Sequence, residues 1–181
     1  MHKVLRLGAM LLLLGGLASP WSRAETPLET RLLLGGMVEM LVPTAFHPMP
    51  EDILKLKYPM ERRPALVLAN DAGSVSLALN HTRNPLPSKE LTEAHRAFDR
   101  MFRNMYPSAH WFRSEVTSLN GRQFILLELR TPALDTEIRN LMLATSVDER
   151  LLLITVNMTK ELEGEWLEVA NRMIRSVVVK P

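Results

Sequence analysis

The sequence predicts an α+β fold in which helices pack on an antiparallel β-sheet. Three observations lead to this class. Short β-rich runs follow one another with turn residues between them, a long apolar stripe with helical spacing interrupts them, and a second such stripe closes the chain. Strands joined by tight turns are antiparallel, and each amphipathic helix must bury its apolar face against the sheet.

The first 24 residues have the pattern of a cleavable export signal. Lys3 and Arg6 precede an uncharged apolar run over 7–18, and Ser22 and Ala24 supply small residues for cleavage after Ala24. The run is shorter than the roughly 20 apolar residues that a membrane span requires. We therefore expect cleavage after Ala24 and no stable membrane span after processing.

Composition indicates where the processed protein works and which partners it lacks. The chain has no cysteine, which excludes disulfides, thiolate chemistry and lipid attachment to a cysteine. Together with the export signal, this predicts a periplasmic location, with secretion beyond the periplasm as the open alternative. Cleavage would remove three of the 22 basic residues and none of the 20 acidic ones, changing the net charge from +2 to −1. A polyanion-binding protein needs an excess of Lys and Arg, so nucleic acid is not an expected partner.

Beyond the signal, we expect a flexible lead over 25–36 and a single domain over 37–181. The apolar stretch Met37–Val42 predicts a first strand that ends at Pro43. Five prolines between positions 43 and 64 exclude a long helix or a central strand there, and only Glu51–Leu56 is expected to form a short helical turn.

The next elements are a hairpin and a long helix. The β-rich runs 65–69 and 74–80 flank a four-residue linker that contains Gly73, which predicts two paired strands. In the second run, apolar residues alternate with small ones, as expected of a half-buried strand. Ser88 is expected to cap the helix that follows, and Pro107 ends it. The residues of its predicted buried stripe are Leu91, Ala94, Phe98, Met101, Phe102 and Met105.

Two more hairpins and a closing helix complete the chain. Asn120-Gly121 joins the β-rich runs 111–119 and 122–130, because both residues tolerate the positive φ of a type I′ turn. The runs 137–146 and 151–157 form the second hairpin, and unbroken apolar sequence over 151–154 predicts a central strand. Thr159 is expected to cap the last helix. Its predicted buried residues are Trp166, Val169 or Ala170, Met173, Ile174 and Val177.

At this point the chain resembles the Mog1/PsbP-like fold family, and within it the small exported bacterial members related to DcrB-like lipoproteins and to the Eag-type chaperones of type VI secretion. The resemblance spans roughly 34–179. The segments that carry it are Met40-Leu41-Val42-Pro43 with Phe46, Tyr58-Pro59, Arg63-Pro64, Asp71-Ala72-Gly73-Ser74-Val75, Phe98 with Met101-Phe102, Trp111, Asn120-Gly121, and the Trp166 helix that ends in Ile174-Arg175-Ser176.

The resemblance implies an α/β/α sandwich used mostly by non-enzymatic proteins that bind, assemble or chaperone other proteins. It supplies no catalytic residue and no cofactor. The export signal distinguishes this chain from the cytoplasmic Eag chaperones, and the missing cysteine distinguishes it from the lipoproteins.

The sequence contains no hydrolase or zinc motif, so we expect a protein that is not an enzyme and has no catalytic residues. His95 and Asp99 are four residues apart on the predicted helix, a spacing that suits a solvated pair better than a catalytic base. His47-Pro48-Met49, with Met37, Met40 and Met60, is the local cluster that could bind Cu(I). Methionine more often fills gaps in a core, so no metal ligand is assigned.

The proline-rich segment 45–64 is the best candidate for a partner-binding surface, because a stiff loop loses little entropy when it docks. The alternative is that its apolar side chains only cover a sheet edge. The loop 80–87 is the second candidate. The predicted partner-binding residues are Phe46, Met49, Ile53, Leu54, Tyr58, His81 and Arg83.

We therefore expect a periplasmic, non-enzymatic protein-binding module with an immunity, adaptor or chaperone-like role. Its partner would be another protein of the cell envelope or a secreted effector. The alternative is a periplasmic protein that binds a small ligand or a metal such as copper.

Overall fold

The computed structural model describes residues 25–59 and 63–180. The predicted signal and its cleavage site after Ala24 lie outside this part, as does Met60. The strands are β1 Leu28–Leu33, β2 Val38–Pro43, β3 His47–Pro48, β4 Leu66–Ala69, β5 Val75–Pro85, β6 His110–Leu119, β7 Arg122–Pro132, β8 Glu137–Val147, β9 Arg150–Thr159 and β10 Val178–Val179. The helices are α1 Glu51–Lys57, α2 Leu91–Met105 and α3 Glu163–Arg175.

The strands form two antiparallel sheets, which confirms the predicted α+β class. The larger sheet has seven strands in the order β3-β4-β5-β9-β8-β7-β6, and the smaller one has the order β1-β2-β10. All three predicted hairpins are present. Asn120 and Gly121 have φ values of 48° and 82° and connect β6 to β7, as expected of a type I′ turn.

β9 occupies the centre of the large sheet, as its apolar sequence predicted. It pairs with β5 on one side and with β8 on the other. Leu152, Ile154 and Val156 are buried on one face of the sheet, whereas Leu151 and Leu153 on the opposite face are half-buried. The two faces of the central strand are therefore covered to different extents.

One face of the large sheet is fully covered. Leu77, Phe124, Leu143 and Ile154 belong to a core that includes Met173 and other buried residues of α3 together with residues of the small sheet. The predicted stripe of α3 is confirmed. Its buried members are Val169, Ala170, Met173 and Ile174, with Val177 just beyond the helix.

The opposite face carries two separate helices. α2 packs on Leu127 and Met142, and α1 packs on Val67 and Ala78. Ala78 is aligned in register with Thr155 of β9, which is aligned with Met142 and then Leu127 across the sheet, so all four side chains point to the same face. The space between the two helices leaves the middle of this face partly open.

Several predictions about the ends of elements were wrong. The segment expected to be a flexible lead contains β1, whose six residues pair with β2. Ser88 begins a 3₁₀ turn and does not cap α2 with its side chain, and Thr159 is the last residue of β9. Met101 and Met105 were predicted to be buried but are 43% and 56% exposed. The residues of α2 that contact the sheet are Leu91, Ala94, Phe98 and Phe102.

Candidate functional site

The part of the sheet beside α1 contains three adjoining cavities, which we call the groove. We name them the apolar, middle and basic cavities. Tyr58 and Asn157 line both the apolar and the middle cavity, and Asn80 lines both the middle and the basic cavity. The groove therefore follows β5 and β9 along most of their length.

The apolar cavity has a volume of about 690 Å³. One wall is the end of α1 with Leu56, and the other is the turn between β7 and β8 with Leu134. These two side chains are 80% and 104% exposed. Ala133 N–H donates to the carbonyl of Thr136 at 2.8 Å, which closes the turn and holds Leu134 at its tip.

The floor of the apolar cavity is polar. Asn157 Oδ1 is buried and accepts no hydrogen bond from the described residues. Burial raises the pKa of the Tyr58 hydroxyl, and a hydrogen bond with Asn157 acts in the opposite direction. Burial also lowers the pKa of Lys57, whose ammonium donates to the carbonyl of Gly73. The site therefore combines apolar walls with hydrogen-bonding groups that can orient a bound molecule.

The other two cavities extend the groove toward the far end of β5. The middle cavity, of about 260 Å³, lies over Ala78, Leu153 and Thr155. The basic cavity has a volume of about 530 Å³. Its lining residues are Arg63, Asn80, His81, Thr82, Arg83 and Asn84.

The structure distributes the predicted partner-binding residues among different environments. Phe46 and Met49 are 2% and 6% exposed, so their proposed contact with a partner is corrected: both belong to the core. Ile53 and Leu54 are half-buried and pack beside Met49 and Ala78, where they hold α1 on the sheet. These four side chains cover the sheet, which was the alternative interpretation of the segment.

The remaining three predicted residues lie in the groove. Tyr58 separates the apolar and middle cavities, and His81 and Arg83 line the basic cavity. A ring nitrogen of His81, Nε2, is 3.0 Å from the carbonyl oxygen of Val147. The structure thus brings together parts of two segments that the sequence analysis treated as separate candidates.

Sequence reasoning missed Leu56, Leu134 and Asn157. Leu134 had a detectable signal, because it is a large apolar residue in a turn between two predicted strands, where a polar residue is usual. Leu56 follows Ile53 and Leu54 on the same short helix and is equally apolar. It lies on the exposed side of that helix, which the sequence did not reveal. Asn157 gave no signal of its own.

A hydrogen-bonded group joins His95, Ser114 and Asp99. Its order differs from the order that nucleophilic catalysis requires. The Ser114 hydroxyl donates to Asp99 Oδ1 at 2.6 Å, and His95 Nε2 is 3.0 Å from the same hydroxyl oxygen. In a catalytic triad the histidine lies between the nucleophile and the carboxylate. Here the serine lies between them, so its proton is already directed to the carboxylate.

The residues proposed for copper do not converge. Met40 lies in the core on the α3 side, and Met49 lies in the separate cluster beneath α1. His47 faces Asp71, with Nε2 and Oδ1 3.6 Å apart. Within 25–59 and 63–180, no group of three His, Cys, Asp or Glu side chains could hold a metal ion.

A buried ionic cluster lies away from the groove, where α3 begins. Glu128 and Arg139 are 3% and 5% exposed and form an ion pair, and Arg113 binds the second carboxylate oxygen of Glu128. The guanidinium of Arg139 also lies over the ring of Phe112. Its charged groups are paired with one another, so we assign the cluster to stability.

Comparisons of structure identify similar folds. Cyanobacterial PsbP (CyanoP) from Synechocystis sp. PCC 6803 matches with a TM-score of 0.59 at 14% identity, over 92% of this chain and 100% of that one. The Ran-binding protein Mog1p of Saccharomyces cerevisiae gives 0.50 at 12% identity, over 86% and 96%. LpqN of Mycobacterium tuberculosis, involved in cell envelope biogenesis, gives 0.52 at 13% identity, over 80% and 83%.

The chain therefore has the Mog1/PsbP-like fold, as the resemblance implied. No sequence-family profile matches it, and no curated protein sequence matches it. Across the described residues, none of the helices has the length and apolar character needed to cross a membrane. At these identities the structural likeness concerns the fold alone.

Proposed function

We propose that the protein is a periplasmic, non-enzymatic binding module that holds a segment of another protein in the groove. The partner is a protein of the cell envelope or a secreted effector, and the role is that of an immunity, adaptor or chaperone-like factor. The observation that carries the proposal is the pair Leu56 and Leu134, two strongly exposed leucines that line opposite walls of one cavity.

Exposed apolar groups that line a concave surface are typical of interaction sites. A side chain that entered this cavity would cover both leucines at once and gain the free energy of apolar burial. The walls are fixed before binding, because α1 is packed on the sheet and the turn of Leu134 connects two long paired strands. A fixed site loses little conformational entropy on binding.

Two of the similar structures agree with such a role, although their likeness concerns the fold alone. Mog1p is a Ran-binding protein, and LpqN is involved in cell envelope biogenesis. We extend binding and an envelope location to this chain as part of the proposal. The predicted export signal supports the location.

A second candidate is the binding of a small apolar ligand. The apolar cavity, at about 690 Å³, falls within the range of roughly 300–1,000 Å³ that is usual for small-molecule sites. Its apolar walls and few polar groups also match such sites. This candidate predicts that a small molecule raises the melting temperature and that no protein is captured at the groove.

Site-specific photocrosslinking tests the proposal. The full-length protein would carry a photoreactive amino acid at position 56 or 134 in its native host, and position 32 is the matched control because Leu32 is a 64% exposed leucine on the small sheet. We expect one stoichiometric protein adduct from positions 56 and 134 and none from 32. The substitution Leu134→Asp should remove the adduct from position 56, whereas Leu32→Asp should not.

Two results would contradict the proposal. Equal adducts from all three positions would mean that the contact is unspecific. Absence of any adduct, combined with recovery of a bound small molecule from the purified protein, would favour the second candidate instead.

A further inference from the structure

The two ends of the groove differ in charge, and this difference identifies the kind of segment that fits it. The following inference rests on the proposed function. Among the described residues, the basic cavity is lined by Arg63 and Arg83 and by no Asp or Glu. The apolar cavity, in contrast, is lined mainly by apolar atoms and carries one lysine and one aspartate.

The two arginines of the basic cavity have different surroundings. Arg63 is held in place, since its Nε donates to the carbonyl of Tyr58 at 3.0 Å and its Nη1 donates to Glu51 Oε1 at 3.1 Å. Arg83 is exposed and forms no ion pair with any described residue. An incoming carboxylate could therefore bind Arg83 without displacing any acidic residue among 25–59 and 63–180.

The backbone at this end of β5 lacks a paired strand on one side, as far as the described residues extend. β4 pairs with β5 only from Leu79 to Ser76, yet β5 continues to Pro85. On the side of β4, no described strand pairs with residues 80–84 of β5. A free strand edge can accept an extended peptide through main-chain hydrogen bonds.

The length of the groove sets the length of the bound segment. Ser76 lines the apolar cavity and Arg83 lines the basic cavity, and both belong to β5. At about 3.3 Å per residue, the seven steps between them span at most about 23 Å, because β5 is irregular between His81 and Pro85. An extended chain of about seven residues covers the same distance.

We propose that the groove binds an extended polypeptide segment of about seven residues that is acidic at one end and has large apolar side chains at the other. The acidic end lies at Arg83 beside the free edge of β5. The apolar end lies between Leu56 and Leu134. The partner is thus recognised by charge at one end and by apolar burial at the other.

Defined peptides test this inference. The probe is an eight-residue peptide with blocked ends, two aspartates at one end and two leucines at the other, joined by serine and threonine and made in both orders. The matched peptides replace the aspartates by asparagine or by lysine. Binding to isotope-labelled protein, expressed from the full-length chain and purified from the periplasm, is measured by amide chemical shifts in a titration.

We expect the acidic peptide to shift amides at both Leu134 and Arg83. Its dissociation constant should be about two- to fivefold lower than that of the asparagine peptide, since one exposed ion pair supplies at most about a factor of five. Arg83→Glu should abolish this preference. Arg100→Glu is the control, because Arg100 is an exposed arginine on α2 with no ion pair among the described residues.

Several outcomes would overturn the inference. Equal binding of the acidic and asparagine peptides would show that charge plays no part in recognition at Arg83. Tighter binding of the lysine peptide would contradict the proposed acidic end. Shifts at the apolar cavity produced by decanoate and by no peptide would assign the groove to a small ligand. If the photocrosslink at position 134 persists unchanged in Arg83→Glu, the inference fails while the proposed function stands, and loss of the crosslink in the unsubstituted protein removes both.

Discussion

The ring of Phe46 stacks on the indole of Trp166, with the ring centroids 5.6 Å apart and the planes inclined by 26°. Phe46 follows β2, and Trp166 lies on α3, so the contact joins the start of the proline-rich segment to the helix that closes the chain. The side chain that the sequence suggested as a binding residue is therefore part of the packing that holds the scaffold together.

Phe46→Ser should destabilise the protein by about 3–5 kcal/mol, as expected when a buried aromatic side chain is removed. Urea unfolding followed by far-UV circular dichroism measures the change. Leu32→Ser is the control, and because Leu32 is exposed the change should stay within about 0.5 kcal/mol. An unchanged free energy of unfolding in Phe46→Ser would mean that the ring is not buried as described.

Glu128→Gln should cost about 3 kcal/mol, because it removes the carboxylate that pairs with the buried Arg139 and leaves that guanidinium only its longer contact with Glu163. The control is Glu168→Gln, which breaks the exposed pair with Arg175 and should cost about 0–1 kcal/mol. Chemical unfolding of both variants gives the comparison. Similar costs would show that burial of the cluster contributes nothing.

Asp99 makes stability depend on pH in the acid range. Its pKa lies below the ordinary value of 3.8, chiefly because Arg103 donates to its carboxylate, with a further hydrogen bond from Ser114. The unfolded chain therefore takes up the proton first as the pH falls. The stabilisation is present above pH 3.8 and is lost as the pH falls through the folded value.

We expect the stability difference between the wild type and Asp99→Asn to be largest near neutral pH and to shrink below pH 3.8. Arg103→Gln removes the largest cause of the shift, so it should flatten the same part of the profile. Free energies of unfolding of the three proteins, measured from acidic to neutral pH, show whether the stability difference shrinks on acidification. A difference that grows on acidification would contradict the expectation.

Tyr58 should titrate late. Burial raises its pKa above the ordinary value of 10.0, so the unfolded chain loses this proton first and stability falls as the pH rises through that value. The chain has two tyrosines, which allows an absorbance titration of the phenolates. Tyr58→Phe should remove the part of the phenolate titration that occurs above the ordinary value. A single step unchanged by the substitution would mean that Tyr58 is open to solvent.

The turn between β8 and β9 offers a stabilising substitution. Glu149 has a φ of 57°, a conformation that side chains other than glycine rarely adopt. Glu149→Gly should raise the free energy of unfolding by about 0.5–1 kcal/mol, and Gly121→Ala, with φ of 82°, should lower it by a similar amount. Thermal unfolding measures the stability of both variants. If both substitutions stabilise the protein, or both destabilise it, the argument from φ is wrong.

The elements that the sequence predicted well are those fixed by local chemistry. Asn120-Gly121 specifies its hairpin because few other pairs tolerate its backbone angles. β1 was missed because Glu29, Thr30 and Arg31 look like a polar linker, and its strand conformation depends on pairing with β2. Tertiary pairing therefore decided the conformation of β1, where local preference was weak.

The groove could not be predicted as a unit, because its walls come from distant parts of the chain. Leu56 and Leu134 lie on α1 and on the β7–β8 turn, and only the strand order brings them to the same cavity. Tyr58, His81 and Arg83 were named from the sequence, yet their common surface depends on the position of β9 beside β5. The sequence could not show that Phe46 is buried while these three residues line the groove, because Phe46 is covered by Trp166 of α3.

In the small sheet, β1 and β10 lie on either side of β2 and are both antiparallel to it. β1 starts opposite Pro43, at one end of β2, and β10 ends opposite Val38, at the other. A mechanical force that pulled Leu28 and Val179 apart would therefore act along the strands. It would shear all six residue pairs between β1 and β2 together instead of unzipping them one at a time. The contact between β10 and β2 has two residue pairs, so it would yield before the six-pair contact between β1 and β2.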